Sequence, residues 1–162
     1  MKKIYINNMN GGFSVDDNYM TPKYVWEQIK QYIPDKIIWE PFYGDGKSGQ
    51  YLTELGFNVI HENEDFFKND KGEIVVSNPP FSKSKEVLTK MKGLNKPFIL
   101  LMPTPKIATQ YFRELFKDEK IQLIIPPKRI HFIQKGNIKN GCNFDCFYYC
   151  WKMNLSKDII FL

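Results

Sequence analysis

Short, continuous apolar runs alternate along the chain with stretches whose apolar residues recur every three or four positions. From Pro22 onward, Tyr24, Val25, Ile29, Tyr32 and Ile33 keep a helical period until Pro34, with Thr21 placed to cap and Pro22 at the first helical position. The run at 36–39 ends in Glu40-Pro41-Phe42-Tyr43-Gly44-Asp45-Gly46, and a helical pattern at 48–55 stops at Gly56, which predicts strand, glycine loop and helix. Apolar runs at 57–60, 73–77 and 97–102 predict three more strands, and 83–91 and 106–116 carry helical spacing. Strand cores that are apolar throughout belong to sheets covered on both sides. The pattern therefore predicts an α/β fold, a mostly parallel sheet with helices on both faces. The end of the chain differs: 121–125, 129–133 and 147–153 read as strands, with a polar loop at 134–143, and predict a C-terminal antiparallel hairpin closing the sheet. Residues 1–18, rich in turn formers and without a sustained period, read as a flexible N-terminal arm or lid ahead of one domain over 19–162.

Charge adds a partner to this picture. The net charge of +5 hides a segregation: residues 1–80 hold 8 Lys and Arg against 12 Asp and Glu, and residues 81–162 hold 15 against 6. A basic second half suggests a polyanion, hence nucleic acid. No apolar run approaches the ~18 residues of a membrane span, and Met1-Lys2-Lys3-Ile4-Tyr5 lacks the features of a signal peptide. The expectation is a soluble, cytoplasmic protein with no membrane partner. Cys142, Cys146 and Cys150 have a spacing that suits neither a disulfide framework nor a paired zinc site, and His61 and His131 are far apart. They read as reduced thiols in or beside a strand, with no metal.

Two loops carry candidate chemistry. Gly46-Lys47-Ser48 matches the end of the phosphate-loop pattern, but its first glycine would fall at Pro41, which lacks an N–H where the loop should fold around phosphate. The loop suits a cation better: Glu40 ends the first strand, Asp45 follows, and Gly44 and Gly46 allow close backbone approach in the crevice outside the strand ends. S-adenosylmethionine, with its sulfonium and ammonium groups, is such a ligand. After the second strand, Glu62 or Glu64 could hold ribose hydroxyls, Asp65 an adenine amine, and Phe66 the adenine ring. A solvated acidic turn with Phe66 and Phe67 in the core fits these residues equally well.

Asn78-Pro79-Pro80-Phe81 follows a buried-strand pattern directly. Two prolines make a rigid loop whose polar groups are not taken up by sheet neighbours. Such a loop can grip a planar amine: the Asn78 amide oxygen accepts one N–H, the Pro79 carbonyl the other, and Phe81 stacks on the ring. Holding both hydrogens favours the geometry in which the nitrogen lone pair attacks a methyl group, by positioning and electrostatics.

With these motifs in place, the chain resembles the amino-group DNA methyltransferases, specifically the small phage- and virus-type DNA N6-adenine enzymes. Tyr19-Met20-Thr21-Pro22 is similar to their N-terminal cofactor motif, Glu40-Pro41-Phe42-Tyr43-Gly44-Asp45-Gly46 to their glycine motif, Asp65-Phe66-Phe67 to their adenine-binding motif, and Asn78-Pro79-Pro80-Phe81 to their catalytic tetrapeptide. Arg129-Ile130-His131-Phe132 and 144–151 resemble the strand and hairpin that end such enzymes. The resemblance implies a Rossmann-like class I methyltransferase fold and transfer from S-adenosylmethionine to adenine N6 in DNA, leaving S-adenosylhomocysteine. It also implies cofactor contacts from Tyr19, Thr21, Pro22, Glu40, Pro41, Gly44, Asp45, Gly46, Asp65, Phe66 and Asn78, with the ribose ligand open between Glu62 and Glu64.

No insert is long enough for a separate target-recognition domain. Recognition is then expected from loops, through Lys83, Lys85, Lys135 and Lys139, or from a second subunit, a homodimer partner or an accessory chain. A duplex base would have to flip out to reach Asn78. RNA adenine or protein glutamine methylation uses the same grip, and a non-catalytic nucleic-acid-binding or scaffold subunit of the same fold is the alternative from another class.

Overall fold

The computed structural model describes residues 19–134, 137–138 and 144–162, of which 137 and 138 are described by their backbone alone. The expected arm at 1–18 and the candidate contacts Lys135 and Lys139 lie outside the described residues, as does Cys142.

In chain order the described elements are α1 (Lys23–Glu27), β1 (Ile38–Trp39), α2 (Lys47–Glu54), β2 (Val59–Ile60), β3 (Ile74–Ser77), α3 (Ser84–Leu94), β4 (Phe98–Pro103), α4 (Gln110–Phe116), β5 (Ile121–Ile125), β6 (Ile133–Gln134), β7 (Asn137–Ile138), β8 (Cys146–Trp151) and β9 (Ile159–Phe161). The first helix is shorter than its periodicity predicts. Pro34 has no N–H for the Lys30 carbonyl, which takes Ile33 N instead at 3.3 Å, and the last turn tightens to a 3-10 turn at Lys30–Tyr32.

Seven strands form one sheet in the order β2-β1-β3-β4-β8-β5-β9. The β2-β1-β3-β4 part is parallel throughout. β8 runs antiparallel between β4 and β5, and β9 adds parallel to β5 at the edge. The sheet is thus mostly parallel and covered by helices on both faces, as the unbroken apolar strands predict. Along β4, Ile99 and Leu101 face a core with Val25, Trp26 and Leu52, while Phe98, Leu100 and Met102 face a second core with Val87, Leu88, Phe112 and Phe116. Side chains that alternate between two cores leave no polar face on the strand.

The antiparallel closure differs in its partners from the expectation. Residues 147–153 were expected to pair with 129–133, but β8 pairs with β4 and β5, so both its edges are used. Ile130 and Phe132 instead turn inward as buried side chains, and Ile133 pairs with Met20 and, through β6, with β7. Cys146 and Cys150 lie on one face of β8 in the first core, and burial pushes the Cys150 thiol up to about 12. No helix of the described residues is long and apolar enough to cross a membrane.

A candidate cofactor and amine site at the carboxyl end of the sheet

β1 and β3 are parallel neighbours, so the turns that follow them, at Glu40 and Asn78, leave the sheet side by side. This is the end where open α/β sheets form a ligand crevice. The register also makes Ser77 and Glu40 neighbours: the Ser77 hydroxyl donates to Glu40 Oε1, and Phe42 N donates to the same oxygen at 3.0 Å. Glu40 is 1% exposed, and its partners are a hydroxyl and a backbone N–H. Burial therefore dominates, and its carboxyl is pushed up to about 8 although both hydrogen bonds oppose that shift. A buried carboxyl that keeps its proton until a positive charge faces it fits a cationic ligand, which favours the ionised form.

The loop after Glu40 turns back on itself. Gly44 and Gly46 have φ of 58° and 81°, and a Cβ on Gly46 would come to 3.0 Å from the Tyr43 hydroxyl. Both positions favour glycine on backbone grounds. Pro41 is buried within this turn. Asp45 Oδ1 accepts from Lys47 N at 3.1 Å, so this carboxylate secures the start of α2. His61 completes the wall: its Nδ1–H donates to the Glu40 carbonyl at 2.8 Å and its ring stacks on Tyr43 with centroids 4.8 Å apart. A Cβ on Gly49 would lie 2.1 Å from that ring. Burial lowers the His61 pKa, and its buried Nε2 has no hydrogen-bond partner among the described residues.

The second loop brings together motifs separated by almost sixty positions, since Asn78 Nδ2 donates to the Tyr19 carbonyl at 2.9 Å and to Thr21 Oγ1 at 3.0 Å. The carbonyl can only accept, which fixes the amide orientation and turns Oδ1 the other way. Oδ1 is buried and has no hydrogen-bond partner among the described residues. Thr21 thus acts on Asn78 rather than as the expected helix cap, and Pro22 takes the cap position with extended backbone. Pro79 and Pro80 are buried with it. Phe81 stacks on Tyr19 at 5.5 Å, and the edges of Phe132 and Phe144 close around it at 5.9 and 5.7 Å.

The Phe81 carbonyl accepts from Ser84 Oγ at 2.8 Å and Lys106 Nζ at 3.0 Å, so a lysine from the turn after β4 holds the loop. Sequence reasoning missed Ser77, His61, Phe132 and Lys106. A hydroxyl closing the apolar run at 73–77 was the one local signal; the others depend on long-range contacts.

The acidic turn after β2 is arranged differently from expectation. Glu62 and Glu64 both pair with Lys71 at the surface, so a ribose contact from either requires that pair to open. Asp65 Oδ1 accepts from Phe67 N at 2.9 Å, capping a 3-10 turn. Of the two readings of Phe66, a ligand wall or a core side chain, its surroundings favour the core: it is 1% exposed, its ring meets Trp39 at 5.4 Å and Phe42 at 4.8 Å, and Lys90 Nζ lies 4.8 Å from its centroid. Lys83 lies in the 3-10 turn after the Asn78-Pro79-Pro80 loop and Lys85 is exposed in the first turn of α3. Among the described residues no group of three or more His, Cys, Asp and Glu is placed to hold a metal ion.

No protein-family profile and no curated protein sequence matches the chain. Solved structures do. A proposed RNA methyltransferase from Pyrococcus horikoshii superposes with a TM-score of 0.51 at 15% identity, covering 88% of this chain and 90% of its own. A proposed class I S-adenosylmethionine-dependent methyltransferase from Listeria monocytogenes gives 0.45 at 12% identity, with 94% and 67% covered. With β8 slotted antiparallel into an otherwise parallel core and helices on both faces, the chain has the Rossmann-like fold of class I methyltransferases.

Proposed function

We propose that the chain is an S-adenosylmethionine-dependent methyltransferase that transfers a methyl group to the exocyclic N6 amine of adenine in DNA. The observation that carries this reading is Asn78: its Nδ2 group donates to Tyr19 and Thr21, while its buried Oδ1 has no partner among the described residues and can accept from an N–H donor. An unpaired buried acceptor is costly unless a ligand satisfies it.

When bound, S-adenosylmethionine supplies a methyl group on a positively charged sulfur. The residues present fit it: Glu40 offers a buried carboxyl with both of its protein hydrogen bonds on Oε1, and the Gly44-Asp45-Gly46 loop allows close backbone approach. Tyr19, Thr21, Pro22, Pro41 and Asp65 complete the cofactor contacts in this reading. Asn78 Oδ1 accepts one amine hydrogen and the Pro79 carbonyl the second, which orients the nitrogen lone pair; Pro80 stiffens the loop and Phe81 carries the aromatic wall. The desolvated carboxyl favours a positively charged partner more strongly than a solvated one would.

The basic second half supports nucleic acid over a protein amide as acceptor. Adenine in DNA follows from the resemblance of the Asn78-Pro79-Pro80-Phe81 loop to the phage- and virus-type enzymes, and the RNA label of the Pyrococcus neighbour makes RNA the second acceptor to test. The test is transfer from methyl-labelled S-adenosylmethionine to adenine-containing DNA. Label in N6-methyladenine supports the reading, and binding of cofactor without any transfer refutes it.

A further inference from the structure

The cofactor and amine sites draw mainly on the turns after β1 and β3. The turns after β4 and β5 leave the sheet at the same end, because β3, β4 and β5 all run in one direction, with β8 reversed between the last two. Each of the three turns joins proline to lysine. Pro79-Pro80 precedes Lys83 and Lys85; Pro105 precedes Lys106; Pro126-Pro127 precedes Lys128-Arg129. Arg129 is held by Asp145 through two contacts, at 2.8 and 2.9 Å, so that pair cancels. Lys83, Lys85, Lys106 and Lys128 remain, against Glu86 in the first turn of α3. From β3 to β5 the edge spans three strand intervals, about 14 Å at ~4.8 Å each, or roughly four nucleotide steps of ~3.4 Å. Beside the last turn lies a cleft of about 390 Å³ lined by Thr104, Pro126, Lys128, Arg129 and Phe147, among others.

We propose that this edge is a track for the phosphodiester backbone of a nucleic-acid strand, centred on Lys106, with the cleft beside Lys128 receiving a nucleotide next to the target one. Lys106 is central because its Nζ already holds the Phe81 carbonyl of the catalytic loop, so a phosphate at this ammonium and the amine at Asn78 belong to one strand. The inference rests on the methyltransferase reading for what is bound at Asn78. It moves the recognition surface to the sheet edge, onto Lys106 and Lys128 beside Lys83 and Lys85.

The test is fluorescence anisotropy with a labelled single-stranded DNA of about twelve nucleotides, its duplex and the RNA of the same sequence, titrated in salt. Each phosphate contact contributes about 0.7 to the slope of log affinity on log salt for a single strand and about 0.9 for a duplex. The triple variant Lys83→Ala, Lys106→Ala, Lys128→Ala should lower the single-strand slope by about 2 and weaken binding at least about tenfold. A second triple, Lys36→Ala, Lys120→Ala, Lys157→Ala, removes the same charge from exposed positions before β1, β5 and β9, at the opposite end of the sheet, and should bind as wild type does. The track is overturned if the first triple keeps the wild-type slope, if both triples lose equally, or if wild type binds none of the three acids. Cofactor binding by calorimetry on the same proteins separates the two readings. A failed track leaves cofactor binding intact, whereas a failed methyltransferase reading removes it and leaves the salt slopes unchanged.

Discussion

At Asn78 the amide nitrogen is fully engaged and the amide oxygen is not, and that asymmetry predicts distinct outcomes for two neighbouring substitutions. Asn78→Ala removes the acceptor and should lower the transfer rate at least about 100-fold, the scale for losing a preorganised polar group at a reacting centre, with cofactor binding largely kept. Thr21→Val removes only one of the two acceptors on Nδ2. It should cost about 1 kcal/mol of positioning, roughly fivefold in kcat; steady-state kinetics on both variants checks the contrast. Glu40 gives a pH dependence. Its carboxyl rises from 4.5 to about 8 on burial, so near pH 7 the folded, ligand-free protein holds this proton and the unfolded chain does not. Its contribution to stability is therefore full below about pH 4.5 and falls as pH rises through 8. A cation favours the ionised form, so cofactor binding should release a proton and tighten by up to about tenfold per pH unit between pH 6 and 8. Glu40→Gln should flatten both the melting-temperature profile and the affinity profile. At this scale the sequence was informative where chemistry is local: two prolines after a buried run marked the Asn78 loop, and a carboxylate before a glycine turn marked Glu40. Ser77 and Lys106 were not legible, because they reach the site only through the fold; Tyr19 and Thr21 were named as cofactor contacts, but their bonds to the Asn78 amide emerge only from the fold.

Among the elements, the central strands were legible from unbroken apolar runs, since a strand buried on both faces has no polar alternation to confuse the pattern. β4 is buried along its whole length between two cores. Leu100→Ala, at a fully buried position, should cost about 2–5 kcal/mol, read from the urea midpoint. Gly46→Ala should cost about 1–2 kcal/mol because φ is 81° there, and should weaken cofactor binding through the displaced loop. Pairing was less legible than strand position. β8 reads as a strand from its own residues, but hydrophobic pattern does not say which neighbours a strand takes, and the insertion between β4 and β5 emerges only from the sheet. β9 went unread because its alternation covers three residues and buries one of them. The Phe66 turn shows the same limit: an aromatic after an acidic residue fits a ligand wall or a core, and only the fold shows its packing against the rings of Trp39 and Phe42.

For the whole molecule, the parallel core gathers the turns after β1, β3, β4 and β5 at one end, so a buried carboxyl, an unpaired amide oxygen and a row of lysines share a single edge. The charge segregation in the sequence points to a polyanion partner, and the proposed track would give that partner a path. The most direct test of the central claim is to incubate the protein with methyl-labelled S-adenosylmethionine and, separately, duplex DNA, single-stranded DNA, RNA and protein, and to identify the labelled product by nucleoside and amino-acid mass spectrometry. The account predicts N6-methyladenine in DNA with the wild-type chain and its loss with Asn78→Ala. Cofactor binding with no labelled product in any of the four, or equal transfer by Asn78→Ala, would contradict it.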